Sequence, residues 1–209
     1  MTQPSHRPLA QRLQGLNLYL VGMMGTGKSA VAQPLADALG YRLVDADHTL
    51  ETAAGRSIAE IFAADGEASF RALETAVLDQ IASWHSLVVA TGGGVVTRPE
   101  NWGHLRQGVV VWLDAPTELL LQRLMGDATP RPLLDHPDPA ARLTKLLSER
   151  QPLYAQADLR ICQQGEPPEQ VAQQVLEALP SILKQKAEAP AEGSVVLRNA
   201  EGAITQSLN

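Results

Sequence analysis

The string Gly22-Met23-Met24-Gly25-Thr26-Gly27-Lys28-Ser29 matches G-x-x-x-x-G-K-[ST]. Residues of these types at this spacing bind a polyphosphate. The glycines let backbone N–H groups converge on phosphate oxygens without Cβ interference. A helix beginning at the lysine adds partial positive charge. Lys28 reaches the β- and γ-phosphates, and the Ser29 hydroxyl coordinates Mg²⁺. A turn before a helix would need none of the four fixed residues, so nucleotide binding is the reading.

Other candidates stand at the ends of apolar runs. Val44-Asp45-Ala46-Asp47 follows a predicted strand. Alternation along an extended backbone points Asp45 and Asp47 to one side. Carboxylates at the C-terminal end of a parallel strand lie where doubly wound sheets bind ligands. One acid would serve the magnesium shell and the other a substrate hydroxyl. The alternative is that the pair caps a helix near residues 48–53. Gly92-Gly93-Gly94 allows close approach of backbone to a ligand, or is a plain turn. Arg71 and Glu74 share a helix face, although such pairs are most often solvated. Arg131 lies in a Pro-rich loop that could close over phosphates. Arg150 sits within or at the end of a helix, and Arg123 precedes the loop, where solvation is the simple reading. Guanidinium groups bind carboxylates and phosphates bidentately.

The elements positioning these residues follow from pattern. Apolar runs at 16–21, Arg42–Asp45, Leu87–Ala90, 109–113 and Leu159–Cys162 read as strands. Helices are predicted at Lys28–Leu39, 57–62, 67–83, 116–124, 140–155 and 168–183. Pro34 should perturb the first of these, and Gly40 should stop it. Continuous apolar strands separated by helices predict a parallel sheet covered on both faces. Residues 1–14 read as a flexible N-terminus, 15–183 as a single domain, and 184–209 as a disordered tail with a weak hairpin around Asn199 and Gly202. The Pro-, Asp- and Gly-rich stretch 126–139 reads as a mobile loop.

Composition narrows the class. The chain has 209 residues, 44% apolar and 19% charged, with a formal charge of −6. No basic stripe exists, so nucleic acid is not an expected partner. Cys162 is the single cysteine, so no internal disulfide is possible. No run of about 18 apolar residues exists, so no membrane span is expected, and a cytoplasmic enzyme is the default.

Together these residues resemble the shikimate kinase family, over about 17–180. The most specific string is Ile58-Ala59-Glu60-Ile61-Phe62, then Gly66-Glu67, Phe70-Arg71 and Glu74. Beside it stand the phosphate loop, Asp45 with Asp47, the glycine triplet, Arg131-Pro132-Leu133-Leu134, and Arg150 with Leu153-Tyr154. The resemblance implies a P-loop three-layer α/β sandwich with a five-stranded parallel sheet, helices on both faces and a mobile lid at about 125–139. It implies phosphoryl transfer from ATP to the 3-hydroxyl of shikimate, with one Mg²⁺, in a monomer. Asp47 would bind shikimate hydroxyls and act as base. Arg71 and Arg150 would hold the carboxylate, and Gly93 would contact it through the backbone. Gly25, Thr26, Gly27, Lys28, Ser29 and Ala30 would bind ATP, with Arg131 reaching it from the lid; Lys28 and Arg131 would be catalytic. Ser29 would take Mg²⁺ directly and Asp45 through water.

Two departures stand out. Many members carry an arginine seven residues before the lid arginine, stacked on adenine; Leu124 stands there, with Arg123 one residue earlier. The adenine loop near 165–168 has Glu166 where a basic residue is often found. A gluconate kinase and a non-catalytic P-loop relative are the rival readings. The first would not require Phe70-Arg71 and Glu74 together with Arg150, and the second predicts damage at Lys28, Asp47, Arg71, Arg131 or Arg150.

Overall fold

The computed structural model describes residues 7–126, 132–134, 136–188, 198–199 and 202–203, with side chains for 9–126, 132–134 and 136–183. Five strands form one sheet: β1 Leu18–Val21, β2 Arg42–Asp45, β3 Leu87–Ala90, β4 Val109–Asp114 and β5 Leu159–Cys162. Their spatial order is β2-β3-β1-β4-β5, and every pairing is parallel. Strand β1 lies centrally, paired through Leu18 with Val88 on one side and Val109 on the other. The loop that follows it therefore opens at the middle of the sheet's C-terminal edge, where such sheets bind ligands.

Strand alternation builds two cores. Leu18, Leu20, Val88, Ala90, Val109 and Val111 turn to one face. They meet helices α1 Arg7–Leu13, α2 Lys28–Leu39 and α8 Pro168–Glu188. Tyr19, Val21, Val89, Val110 and Trp112 turn to the other face. There they meet α3 Ala46–Ala54, α4 Ile58–Ala82 and α5 Pro99–Leu105, with Tyr154 of α7 Pro139–Tyr154. The central strands β1 and β3 are buried at every position because both faces are covered, while the edge strands β2 and β5 carry Arg42, Asp45 and Arg160. A third cluster joins Met23 of the phosphate loop to Leu120 of α6 Thr117–Met125 and to Leu143 and Leu146 of α7.

Several elements depart from the sequence reading. Within 1–14, expected to be flexible, residues 7–13 form α1, which buries Leu9 and Leu13 in the first core. Its signal was two leucines in a polar stretch, too few to show a period. Helix α2 runs through Pro34 without a break. The 3-10 turn Val95–Thr97 and α5 were not anticipated; Pro99 starts α5 at its first turn, where its missing N–H is harmless. Helix α8 extends to Glu188, and Arg198–Asn199 pairs antiparallel with Gly202–Ala203, at the expected hairpin.

The two helices expected at 57–62 and 67–83 are the two limbs of α4, interrupted at Gly66, whose φ 78° and ψ 173° are not helical. Ser57 starts the first limb with a capping box to Glu60. The Gly66 conformation is one that only glycine adopts readily. Among the described residues beyond the helix's own backbone, nothing lies within 4 Å of where its Cβ would be, so the backbone conformation is what resists substitution. Gly66→Ala is expected to destabilise the protein by about 1–3 kcal/mol, read from urea unfolding at constant m-value. Unchanged stability would mean that the limbs rejoin as one helix without penalty.

Candidate active site

The phosphate loop leaves β1 through three glycines in positive-φ conformations: Gly22 at 145°, Gly25 at 84° and Gly27 at 82°. Gly22 is also excluded from bearing a side chain by space, since a Cβ there would lie 2.4 Å from the Leu113 carbonyl oxygen. Lys28 begins α2 and is 9% exposed. Its Nζ donates to Gly22 O at 2.9 Å and Met23 O at 3.1 Å, so the ammonium spans the loop. Thr26 is buried, while Ser29 and Ala30 are exposed in the first turn of α2.

Asp45 ends β2 and has two jobs. Its Oδ1 accepts from the N–H groups of Asp47 and His48, capping α3. Its Oδ2 accepts from the Ser29 hydroxyl at 2.5 Å. The helix-cap reading of Asp45 therefore holds, and the same carboxylate stands within hydrogen-bonding distance of Ser29. The alternation argument for Asp47 does not. The strand stops at Asp45, and Asp47 stands in the first turn of α3. It still lines the cavity beside the loop, because helix geometry returns it there.

That cavity has a volume of about 320 Å³. Asp47, Glu51, Arg71, Glu74 and Arg150 supply its charge, Gly92, Gly93 and Gly94 its backbone wall, and Met24, Ile58, Phe62, Phe70 and Leu133 its apolar surface. Arg71 and Glu74 are not the solvated pair that their spacing suggested. They are 7% and 5% exposed, and joined at 2.8 Å. Arg71 also bonds Glu67 at 3.1 Å. The second Glu74 oxygen, Oε1, is buried with no hydrogen-bond partner among the described residues. It lies 2.6 Å from where a Cβ on Gly92 would be, and Asp47 Oδ1 lies 2.8 Å from the same point. Two carboxylates thus converge over Gly92. Burial raises the Asp47 pKa above its ordinary 3.8, with Lys28 opposing and Asp45 adding to the rise. Burial likewise raises Glu74, against the pull of Arg71.

The glycine triplet is a close-approach device, not a flexible turn. A Cβ on Gly94 would lie 2.3 Å from an Arg71 guanidinium nitrogen. The triplet's carbonyls are all engaged. Gly92 O accepts from Val95 N, and Gly94 O from Thr97 N. Gly93 O accepts from Arg150 Nη1 at 3.2 Å and from the Tyr154 hydroxyl at 2.5 Å. In trans peptides the N–H points opposite its carbonyl, so the Gly93 and Gly94 amides turn the other way. Burial pushes the Tyr154 pKa up to about 12, which keeps its hydroxyl a donor.

Arg131 lies outside the described residues. Arg123 is half-buried and not solvated, since it donates to Gly25 O and to Gln163 Oε1. Glu166, in the expected adenine loop, folds onto its own backbone at Gln164 N. Sequence reasoning assigned no role to Tyr154 and passed over Gln163. A residue-type pattern carries no signal for a side chain that acts on a distant carbonyl.

Comparison with known proteins decides the family. The shikimate kinase family profile matches residues 24–180. The chain belongs to the shikimate kinase family. A shikimate kinase of Synechococcus sp. (strain RCC307) is 60% identical over 183 residues, covering 88% of this chain and 93% of that one. The structure of a shikimate kinase from Acinetobacter baumannii in complex with shikimate matches with a TM-score of 0.79 at 40% identity, over 85% of this chain and 98% of that one. A shikimate kinase from Aquifex aeolicus matches with a TM-score of 0.69 at 31% identity, over 83% and 100%. This member of the family is therefore an ATP-dependent kinase acting on shikimate, with the five-stranded parallel P-loop fold. The gluconate kinase and non-catalytic readings fall with that membership.

The Arg71–Glu74 pair generates a stability prediction. Removing one member of a buried pair strands the other's charge. Glu74→Ala is expected to destabilise the protein by about 3 kcal/mol, measured by denaturant unfolding. A loss no larger than that of an exposed pair would show that Glu67 alone satisfies Arg71.

Proposed function

We propose that this chain transfers the γ-phosphoryl group of ATP to the 3-hydroxyl of shikimate, giving shikimate 3-phosphate and ADP, with Asp47 as base and Arg71 and Arg150 holding the carboxylate. One observation carries this assignment: a single cavity joins the Asp47 carboxylate to two buried arginines, directly beside the phosphate loop. The hydroxyl oxygen forms the new bond to the γ-phosphorus. The bond from that phosphorus to the β,γ-bridging oxygen breaks, and its electron pair leaves with ADP. Asp47 accepts the hydroxyl proton, late in a loose transition state.

The arginines suit a carboxylate because their planar forks bind it bidentately. The apolar wall of Ile58, Phe62 and Phe70 suits a carbocyclic ring. Gly93 serves through its backbone. Gly25, Thr26, Gly27, Lys28, Ser29 and Ala30 bind the phosphates, and a phosphate oxygen would draw the Lys28 ammonium more strongly than two neutral carbonyls do. The oxygens of Ser29 and Asp45, within one hydrogen bond of each other, fit a hard cation. Ser29 would hold Mg²⁺ directly and Asp45 through water. That ion would neutralise charge on the phosphoryl oxygens when bound. Arg131 would reach ATP from a lid at about 125–139, which excludes water as a competing acceptor. We place the enzyme in the cytoplasm as a monomer. Among the described residues, no helix is long and apolar enough to cross a membrane.

The primary test is ADP release by purified protein with MgATP, with shikimate, with gluconate and with neither. Stimulation by shikimate alone is expected; stimulation by gluconate would reject the substrate assignment. Asp47→Asn is expected to lower kcat by orders of magnitude, and near-normal turnover would remove Asp47 as base. The base must be ionised, and burial raises its pKa, so kcat/KM should fall with acidification at a midpoint above 3.8. That limb should be absent from the residual activity of Asp47→Asn. Gly94→Ala, which drives a methyl group into Arg71, should raise the shikimate KM about tenfold or more while ATP affinity holds; an unchanged shikimate KM would detach Arg71 from the carboxylate.

A further inference from the structure

Gln163 follows directly on β5 and is 1% exposed. A buried primary amide needs partners at both ends. Its Nε2 donates to Thr26 O at 2.8 Å, and its Oε1 accepts from Arg123 Nη1 at 3.1 Å. The same guanidinium nitrogen donates to Gly25 O at 3.1 Å. The Gln163 main-chain N–H donates to Asp114 O at 2.9 Å, at the last residue of β4. One side chain therefore ties the β4–β5 edge and α6 to the phosphate loop.

The consequence lies in the direction of two peptide planes. No peptide in the described chain is cis. In a trans peptide, C=O and N–H point to opposite sides. Holding Gly25 O on Arg123 turns Thr26 N–H inward, where it donates to Met23 O at 3.2 Å. Holding Thr26 O on Gln163 turns Gly27 N–H away from β5. Both flanking residues are left-handed glycines, whose own conformational preferences are weak. External hydrogen bonds must then set these planes.

We infer that Gln163 is a positioning residue for phosphoryl transfer. Acting through Thr26 O, and together with Arg123, which fixes the preceding peptide with Thr26 N–H on Met23 O, it holds the Thr26–Gly27 peptide so that Gly27 N–H is presented to the ATP phosphates. This rests on the phosphate loop being the ATP site. A merely structural Gln163 would affect stability and both substrates alike. A positioning Gln163 separates the two KM values.

The experiment compares Gln163→Leu, Gln163→Glu, Arg123→Ala, Gln163→Leu with Arg123→Ala, and Lys28→Met, each in the full chain. KM is measured for ATP and for shikimate, with MgADP binding by calorimetry. Gln163→Leu should raise the KM for ATP about tenfold, the effect of one lost hydrogen bond to a buried carbonyl. The shikimate KM at saturating ATP should change less than about twofold. Gln163→Glu keeps an acceptor for Arg123 but has no donor for Thr26 O, so it should weaken ATP and MgADP as Gln163→Leu does. It also serves as the test if Gln163→Leu does not fold. The double variant should be no worse than the more impaired single variant, because both act on one pair of peptides. An unchanged ATP KM in Gln163→Glu, or an equal rise in both KM values, would overturn the inference. Lys28→Met separates the two levels. If it loses MgADP while the Gln163 variants keep it, only the positioning role falls. If it binds MgADP as the parent does, the phosphate-loop reading falls first.

Discussion

The guanidinium of Arg71 occupies the space where Gly94 would otherwise carry a side chain. This contact constrains much of the site. Arg71 is buried and must be neutralised, so Glu74 is buried with it on the same helix. Glu74 then lies against Gly92, and its free oxygen meets Asp47 there. Helix α4, the loop after β3 and the start of α3 are thereby held in one arrangement by charge and close approach. Buried charges tolerate little displacement, because any move strands one of them. The cavity wall is thereby held rigid.

Glycine serves two physically different purposes at this edge of the sheet. In the phosphate loop, Gly25 and Gly27 have positive φ, and the backbone conformation selects them. In the triplet after β3, Gly92 and Gly94 are not in that region, and neighbouring side chains select them. The triplet then behaves as a rigid surface, with all three carbonyls engaged and Gly93 O held by Arg150 and Tyr154. The same logic governs the phosphate loop, where Arg123 and Gln163 engage two successive carbonyls. Backbone amides become directional ligands only when their carbonyls are fixed elsewhere.

The protein is acidic overall, with a formal charge of −6. Its anion-binding capacity is accordingly local. Lys28, Arg71 and Arg150 are each at most 9% exposed, in surroundings where charge interactions are less screened than in water. Asp47 sits among them, with burial raising its pKa and Lys28 opposing that rise.

The phosphate loop and all five strands were legible in the residues, because one depends on a local motif and the others on short apolar runs. The family was legible too, from Phe70-Arg71, Glu74 and Arg150 in order. Local pattern failed where a residue's role depends on a distant partner. Spacing alone made Arg71 and Glu74 a surface pair and Arg123 a solvated cation, and tertiary packing buried or engaged all three. Alternation placed Asp47 by the wrong geometry, since the strand ends at Asp45 and a helix turn aims Asp47. Helix α1 escaped notice because two leucines carry no period until α2 and α8 supply the surface they cover. By itself, the sequence determined the strands, the phosphate loop and the chemistry of the candidate residues, all of which follow from local residue type and spacing. Only the tertiary structure decided which charges are buried, which carbonyls are held and which amides are free to face a ligand, because those depend on contacts between residues as far apart in the chain as Thr26 and Gln163.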